Sequence, residues 1–318
     1  MSDAPTATYS RMRELFDGCE RYKSLAFFAR QIVEGYMVGL HRSPLHGFSV
    51  EFSEHRPYNN GESTHDIDWK LFGRTDKLFV KQYAEETNLR CQIVIDHSNS
   101  MRFPLERHAD LAHPNKITFA IYSTAVIIEM LARQRDAFGL TLVSDTIDLQ
   151  TETRSSKIHQ QHLLNILANE LSSQESHDTT AVAESLHRLS DQLHRRSLVI
   201  IFTDAICDQA EREATFDALR HLRHRGHEVL FFHTLDSEHE ADLLFDDRPT
   251  LFIDLESGQR VKAQPSAIAE HYRGEMKRQA DELRRRAIQY HIDYQAIAVE
   301  NGADKVLLPF LLKRAKMV

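Results

Sequence analysis

A chain of 318 residues, 42% apolar and 27% charged, can bury a core large enough for one large domain or for a domain with a smaller appendage. Its 39 basic against 47 acidic residues leave a net charge of -8, which argues against a nucleic-acid partner because phosphate binding needs a basic footprint. No apolar run approaches the roughly 18 residues that cross a bilayer, MSDAPTATYS lacks the layout of a signal peptide, and Cys19, Cys91 and Cys207 form neither a disulfide framework nor a zinc site, so a cytoplasmic protein without a membrane span is expected.

In chain order, a helix is expected over 20–38 (ERYKSLAFFARQIVEGYMV), followed by Gly- and Pro-punctuated turns, the strand GFSVEF and the charge-rich block DIDWKLFGRTDKLFVKQYAEE. Residues 1–85 are therefore expected as a smaller N-terminal subdomain and 86–318 as an α/β domain. From residue 90 onward, short apolar runs alternate with segments of helical period. Strands are expected at 91–95 (CQIVI), 137–143 (AFGLTLV), 197–203 (SLVIIFT), 228–233 (EVLFFH) and 291–298 (HIDYQAIA), with IDLQTE, 147–152, as a short antiparallel edge strand. Helices are expected at 116–134, 156–172, 180–194, 209–225, 266–289 and near 304–315. This is the pattern of a doubly wound, mostly parallel sheet flanked by helices, in which ligands bind outside the carboxyl ends of the strands.

The run CQIVI ends in DHSNS. If it is the central strand, Asp96, Ser98 and Ser100 stand in the ligand-binding loop, and their alternation turns three hard oxygen donors toward one point. Such donors suit Mg²⁺ or Mn²⁺, and three are too few alone. Asp204 follows SLVIIFT as Asp96 follows CQIVI, and Thr180 stands at an expected helix start in DTTAV, so both are candidates to complete the set. Loops after strands are also rich in Asp and Ser because these residues bond to local backbone.

The order DHSNS, DTTAV, IFTDA resembles the metal-ion-dependent adhesion site of von Willebrand factor A domains. That resemblance implies a Rossmann-like fold with Asp96, Ser98, Ser100, Thr180 and Asp204 as ligands of one divalent cation, directly or through water. Two departures stand out: Asp178-Thr179 where Gly-Gly usually precedes the Thr, and Ala205 where a Gly often follows the last Asp. The upstream block EFSEHRPYNNGESTHDIDWKLFGRTDKLFVKQYAEET is similar to the family called domain of unknown function 58, whose members carry a von Willebrand A-like region. The likeness covers about residues 37–205. It implies a non-enzymatic, chaperone-like adaptor, with a MoxR-type AAA+ ATPase and a client protein as partners.

Within that block Asp68, Trp69, Lys70 and Arg74 are candidate docking residues, since aromatic and Arg side chains dominate binding hot spots; the plainer reading is a set of surface ion pairs around a packed Trp. His221, His224 and His227, like His159 with His162, lack the carboxylate of H-E-x-x-H; the first three read as a solvated helix end, and the Arg run 284–286 as a solvated helix face. There is no Gly-rich phosphate loop, so the chain is not expected to bind ATP. Two functions from different classes follow. One is a binding module whose cation keeps an open position for an acidic group of a partner. The other is a Mg²⁺-dependent phosphatase or phosphotransferase with Asp96 as nucleophile, a chemistry that usually places an acid where Ser98 stands.

Overall fold

The computed structural model describes residues 25–40, 55–57, 72–74, 79–81, 89–105, 113–172, 182–206, 209–256 and 258–315. They fall into two compact units, one holding residues 25–37 and 89–315, the other the described residues between 38 and 88. The strand expected from GFSVEF lies outside the described residues. The smaller unit contains an antiparallel pair, β1 (His55–Pro57) and β2 (Phe79–Lys81), and a helical turn at 72–74.

Helix α1 (Leu25–Leu40), whose residues 25–37 belong to the larger unit, buries Leu25, Phe28, Ala29, Ile32 and Val33, the spacing of one helical face. Its Phe28 ring meets Tyr122 edge-on at 4.7 Å, and Glu34 accepts from Arg133 at 3.1 Å. The chain then alternates strand and helix: β3 (Arg90–Asp96), α2 (Lys116–Arg133), β4 (Ala137–Val143), β5 (Ile147–Gln150), α3 (Lys157–Ser172), α4 (Val182–Gln192), β6 (Leu198–Thr203), α5 (Gln209–His224) and β7 (Glu228–Leu235). A hairpin of β8 (Thr250–Ile253) and β9 (Arg260–Ala263) follows, then α6 (Pro265–Gln289), β10 (Asp293–Ala298) and α7 (Leu307–Ala315).

Six strands form one sheet in the order β10-β7-β6-β3-β4-β5, every pair parallel except β4 with β5. The fold is thus a doubly wound, mostly parallel α/β sheet flanked by helices, as the alternation predicts. β3 and β6 are apolar almost without interruption because a central parallel strand is covered on both faces. Val94, Val199, Ile201, Val229 and Phe231 pack against α4, α5 and α6. The intervening residues Ile93, Ile95, Ile200, Phe202 and Phe232 point to the opposite face and are equally buried. Gln92, the one polar side chain inside β3, is satisfied by Thr141 Oγ1 at 2.8 Å and the Thr151 carbonyl at 3.3 Å. Gly139 is needed beside it, since a Cβ there would stand 2.4 Å from Gln92 Oε1.

Every strand and helix expected in residues 90–315 is present within a few residues, while the β8–β9 hairpin was not expected. Strands of four residues give too short an alternation to separate from loop. His227, expected on a solvated helix end, is buried; His221 lies beside Ser190 at 2.9 Å and His187 at 3.2 Å.

Candidate functional site

From β3 the chain runs outward to β4 and β5, then returns to the other flank of β3 as β6. The order of the sheet therefore reverses between β3 and β6, where a doubly wound sheet opens its ligand crevice at the carboxyl ends of the strands. Asp96 is the last residue of β3 and Asp204 the first after β6, and both are buried. The strand pairing makes them neighbours. Burial, and behind it the charge of Asp204, push the Asp96 carboxyl up to about 6.

The loop after β3 turns back at once. The Ser98 amide donates to Asp96 Oδ1 at 3.0 Å, and Thr203 Oγ1 donates to Asp96 Oδ2 at 2.7 Å. Ser98 Oγ lies 3.1 Å from Ser100 Oγ, at the start of a helical turn over Asn99–Arg102. After β6 the Ile206 amide donates to Asp204 Oδ1 at 3.1 Å and the Ala205 amide to Thr203 Oγ1 at 3.1 Å. Ala205 has φ 50°, the left-handed region that a glycine adopts without strain. Thr180 lies outside the described residues, as do Asp68, Trp69 and Lys70. Arg74 is described, and it is exposed on the helical turn at 72–74 of the smaller unit.

Several residues of this edge were not anticipated. Lys116, the first residue of α2, is fully buried and donates to Asp204 Oδ2 at 2.7 Å and to Glu240 Oε1. An ammonium at a helix N-terminus opposes the helix dipole, so its carboxylate partners must hold it there. Burial alone would lower its pKa, yet the charges of Asp204 and Glu240 hold it above the ordinary value. Glu240 accepts from the Asp236 amide at 3.0 Å, and burial raises its carboxyl against the opposing charge of Lys116. The sequence signal for Lys116 is the only charge in the first turn of an otherwise apolar helix. Glu240, 124 positions away, has no such signal.

One further side chain holds the Asp204 backbone, with a second behind it. His233 is buried and pushed down to about 4, so it is neutral: Nε2 donates to the Asp204 carbonyl at 2.8 Å, and Nδ1 accepts from the Tyr294 hydroxyl at 2.7 Å. On the opposite flank His97 Nε2 meets Asp148 Oδ2 at 2.8 Å and Nδ1 meets Glu170 Oε1 at 3.5 Å, with Arg102 also on Glu170 at 3.0 Å. Burial opposes the charge on His97, but these two carboxylates outweigh it and raise the pKa.

Two buried carboxylates, Asp204 and Glu240, thus share one ammonium, and buried Asp96 beside them has no cationic partner among the described residues. They are linked electrostatically without being gathered about one point, and among the described residues no three His, Cys, Asp or Glu side chains form a metal-holding group. A donor set of two carboxylates and hydroxyls does not need such a group. The carboxylate surplus and the paired hydroxyls of Ser98 and Ser100 fit a hard divalent cation, which binds oxygen donors and keeps some of its waters. Among the described residues no helix is long and apolar enough to cross a membrane.

The family described as "Protein of unknown function DUF58" matches residues 54–285. The chain is similar to the uncharacterized protein Rv1480 of Mycobacterium tuberculosis and the uncharacterized protein Mb1516 of Mycobacterium bovis, each 23% identical over 218 residues. Each match covers 67% of this chain and 64% of the relative's length. Among solved structures it is similar to the conserved hypothetical protein BatB from Bacteroides thetaiotaomicron, at TM-score 0.45 and 16% identity, covering 72% of this chain and 98% of that one. The PilB minor pilin from Streptococcus sanguinis aligns at TM-score 0.42 and 9% identity, over 76% of this chain and 64% of the other.

Proposed function

The chain belongs to the DUF58 family, and from that premise we propose that it is a non-enzymatic binding module of von Willebrand A-like type, whose carboxyl edge takes a divalent cation and, through it, an acidic group of a partner protein. Asp96, Ser98 and Ser100 with Asp204 would hold the ion, Mg²⁺ or Mn²⁺, and Thr180 completes the set by resemblance. The ion would supply a positive centre that accepts a partner carboxylate as a further ligand. The partner we propose is a MoxR-type AAA+ ATPase, with this chain as adaptor to a client.

The observation that carries the reading is the charge deficit at the switch point. Asp96, Asp204 and Glu240 are buried with a single ammonium among them, and Asp96 has no cationic partner of its own among the described residues. A buried carboxylate in that position gains from a proton or from a metal ion, and at neutral pH protons are scarce for a group near 6. Asp96 and Asp204 would balance a dication in charge, so an incoming carboxylate meets little repulsion.

Calorimetric titration of Mg²⁺ and of Mn²⁺ into the full chain tests this. Asp96→Asn is expected to weaken cation affinity at least ~10-fold, a change worth about 1.4 kcal/mol, and to abolish cation-dependent retention of a purified MoxR-type ATPase. Unchanged cation heats in that variant would reject the reading.

Lys116 favours a second reading, phosphoryl transfer with Asp96 as nucleophile, because it brings to Asp204 the kind of cation that such chemistry uses on a phosphoryl group. Against it, the ammonium is already shared by two carboxylates, and Ser98 stands where the general acid is usually found. Turnover of p-nitrophenyl phosphate with Mg²⁺ that is lost in Asp96→Asn would favour this second reading.

A further inference from the structure

The β8–β9 hairpin lies outside the main sheet, and its two faces are treated differently. The register sets Leu251 opposite Lys262 and Ile253 opposite Arg260, so these four side chains share one face. The other face carries Phe252, whose ring meets Phe245 edge-on at 5.4 Å. From Phe245 the rings continue to His239 at 5.0 Å and to Phe103 at 6.1 Å, and Phe103 caps the turn that begins after Ser98. The tip of the hairpin reaches the same turn directly, since Asn99 Nδ2 donates to the Leu255 carbonyl at 3.4 Å. The inner face is therefore fastened to the loop carrying Ser98 and Ser100.

The outer face is open. Leu251 is 52% exposed and Ile253 49%; Val261, opposite Phe252 and so on the other face of the ribbon, is nevertheless 56% exposed at the edge. Arg260 and Lys262 are exposed, and neither has an ion-pair partner among the described residues. Nor does any backbone hydrogen bond among those residues reach the outer edge of β9. A lone two-stranded ribbon is marginal in water, and an unpaired edge flanked by exposed apolar side chains is a template for another strand. On β9 the sequence Arg260-Val261-Lys262 alternates cation, apolar, cation. Its complement is an extended strand that alternates acid, apolar, acid.

We propose that the open edge of β9 docks an extended acidic segment of a partner protein, with its acids opposite Arg260 and Lys262, an apolar residue beside Val261, and the rest of the partner covering Leu251 and Ile253. On a chain of net charge -8, two exposed cations on one short strand, without ion-pair partners among the described residues, favour such a segment. The inference deepens the proposed cation-dependent capture and rests on it for the role of the docked acid: the tether through Asn99 and the aromatic rings puts the docking strand beside the loop where a partner carboxylate would meet the ion.

The test is selection of a displayed random 12-residue peptide library on the full chain in Mg²⁺, followed by affinity measurement of the enriched peptides. Peptides alternating acidic and apolar residues are expected to be enriched. They should lose at least ~10-fold in affinity on Arg260→Glu with Lys262→Glu, and a similar amount on Val261→Ser, with unchanged circular dichroism because all three positions are exposed. Absence of acidic enrichment, or full affinity in both variants, overturns the proposal. Conversion of a dimer to a monomer by the charge reversal, without effect on peptide, would show the occupant to be a second copy and overturn it equally. Chelation of Mg²⁺ and Asp96→Asn separate the two readings. If they abolish binding while the hairpin variants do not, docking on β9 fails alone; if the hairpin variants abolish it while chelation and Asp96→Asn do nothing, the cation reading fails and the docking strand stands.

Discussion

The two edges of the central sheet handle buried charge in opposite ways. At the amino edge, acids meet bases on nearly equal terms: Asp136 accepts from Arg314 at 2.8 Å, Glu228 pairs with Arg223 at 2.6 Å and with Lys313, and Asp293 pairs with Lys313 at 2.6 Å. At the carboxyl edge Asp204 and Glu240 share Lys116, buried Asp236 lies 3.0 Å from His239, and buried Asp96 has no cationic partner among the described residues. The first edge is closed by α7, which brings both Lys313 and Arg314. The second leaves Asp96 without a cation among the described residues. A buried carboxylate without a cation is costly, and the proposed cation is what would relieve Asp96.

The sharpest way to break this comparison is Lys116→Met. It would leave Asp204 and Glu240 buried without their ammonium, and urea unfolding at neutral pH is expected to show a loss of about 3–5 kcal/mol, the usual cost of removing one partner of a buried pair. The loss should shrink in acid as Glu240, whose carboxyl burial raises, takes up a proton.

The next effect is on pH dependence. Asp96 is pushed up to about 6, above the ~3.9 of an exposed aspartate, so between these values the folded state binds the extra proton. Stability therefore falls as pH rises from about 4 through 6, by up to ~3 kcal/mol from this group, and is level above it. Comparing the pH profiles of the native chain and Asp96→Asn without divalent cation should isolate that fall; a profile with the same slope in both would show that Asp96 is not the group under strain.

At the amino edge, Arg314→Ala removes a charged hydrogen bond to Asp136 and is expected to cost about 2 kcal/mol in chemical denaturation. It should leave cation affinity unchanged, which makes it the control for the carboxyl-edge variants. The smallest effect is at Ala205, where φ is 50°. Ala205→Gly is expected to raise stability by ~1 kcal/mol by relieving a left-handed conformation, read as a rise in the thermal midpoint. A fall instead would mean that the Cβ makes a contact worth more than the strain.

The sheet was legible in the chain because central strands such as CQIVI and LVIIF advertise their burial residue by residue, and the helices between them keep a 3.6-residue period. The positions of Asp96, Ser98, Ser100 and Asp204 followed from the same reading, since a polar group just after a buried parallel strand must stand at the sheet's edge. Thr180 and the 66–70 block lie outside the described residues. The β8–β9 hairpin was missed because four-residue strands carry little periodicity.

What the sequence by itself determined is therefore the order of strands and helices and the edge on which the oxygen donors stand, because hydrophobic patterning is a local property that survives without knowledge of neighbours. Which charges meet was decided only in three dimensions. Lys116 reaches Asp204 across 88 positions and Glu240 across 124, and no local pattern encodes a pairing whose energy depends on distance and burial in the folded state.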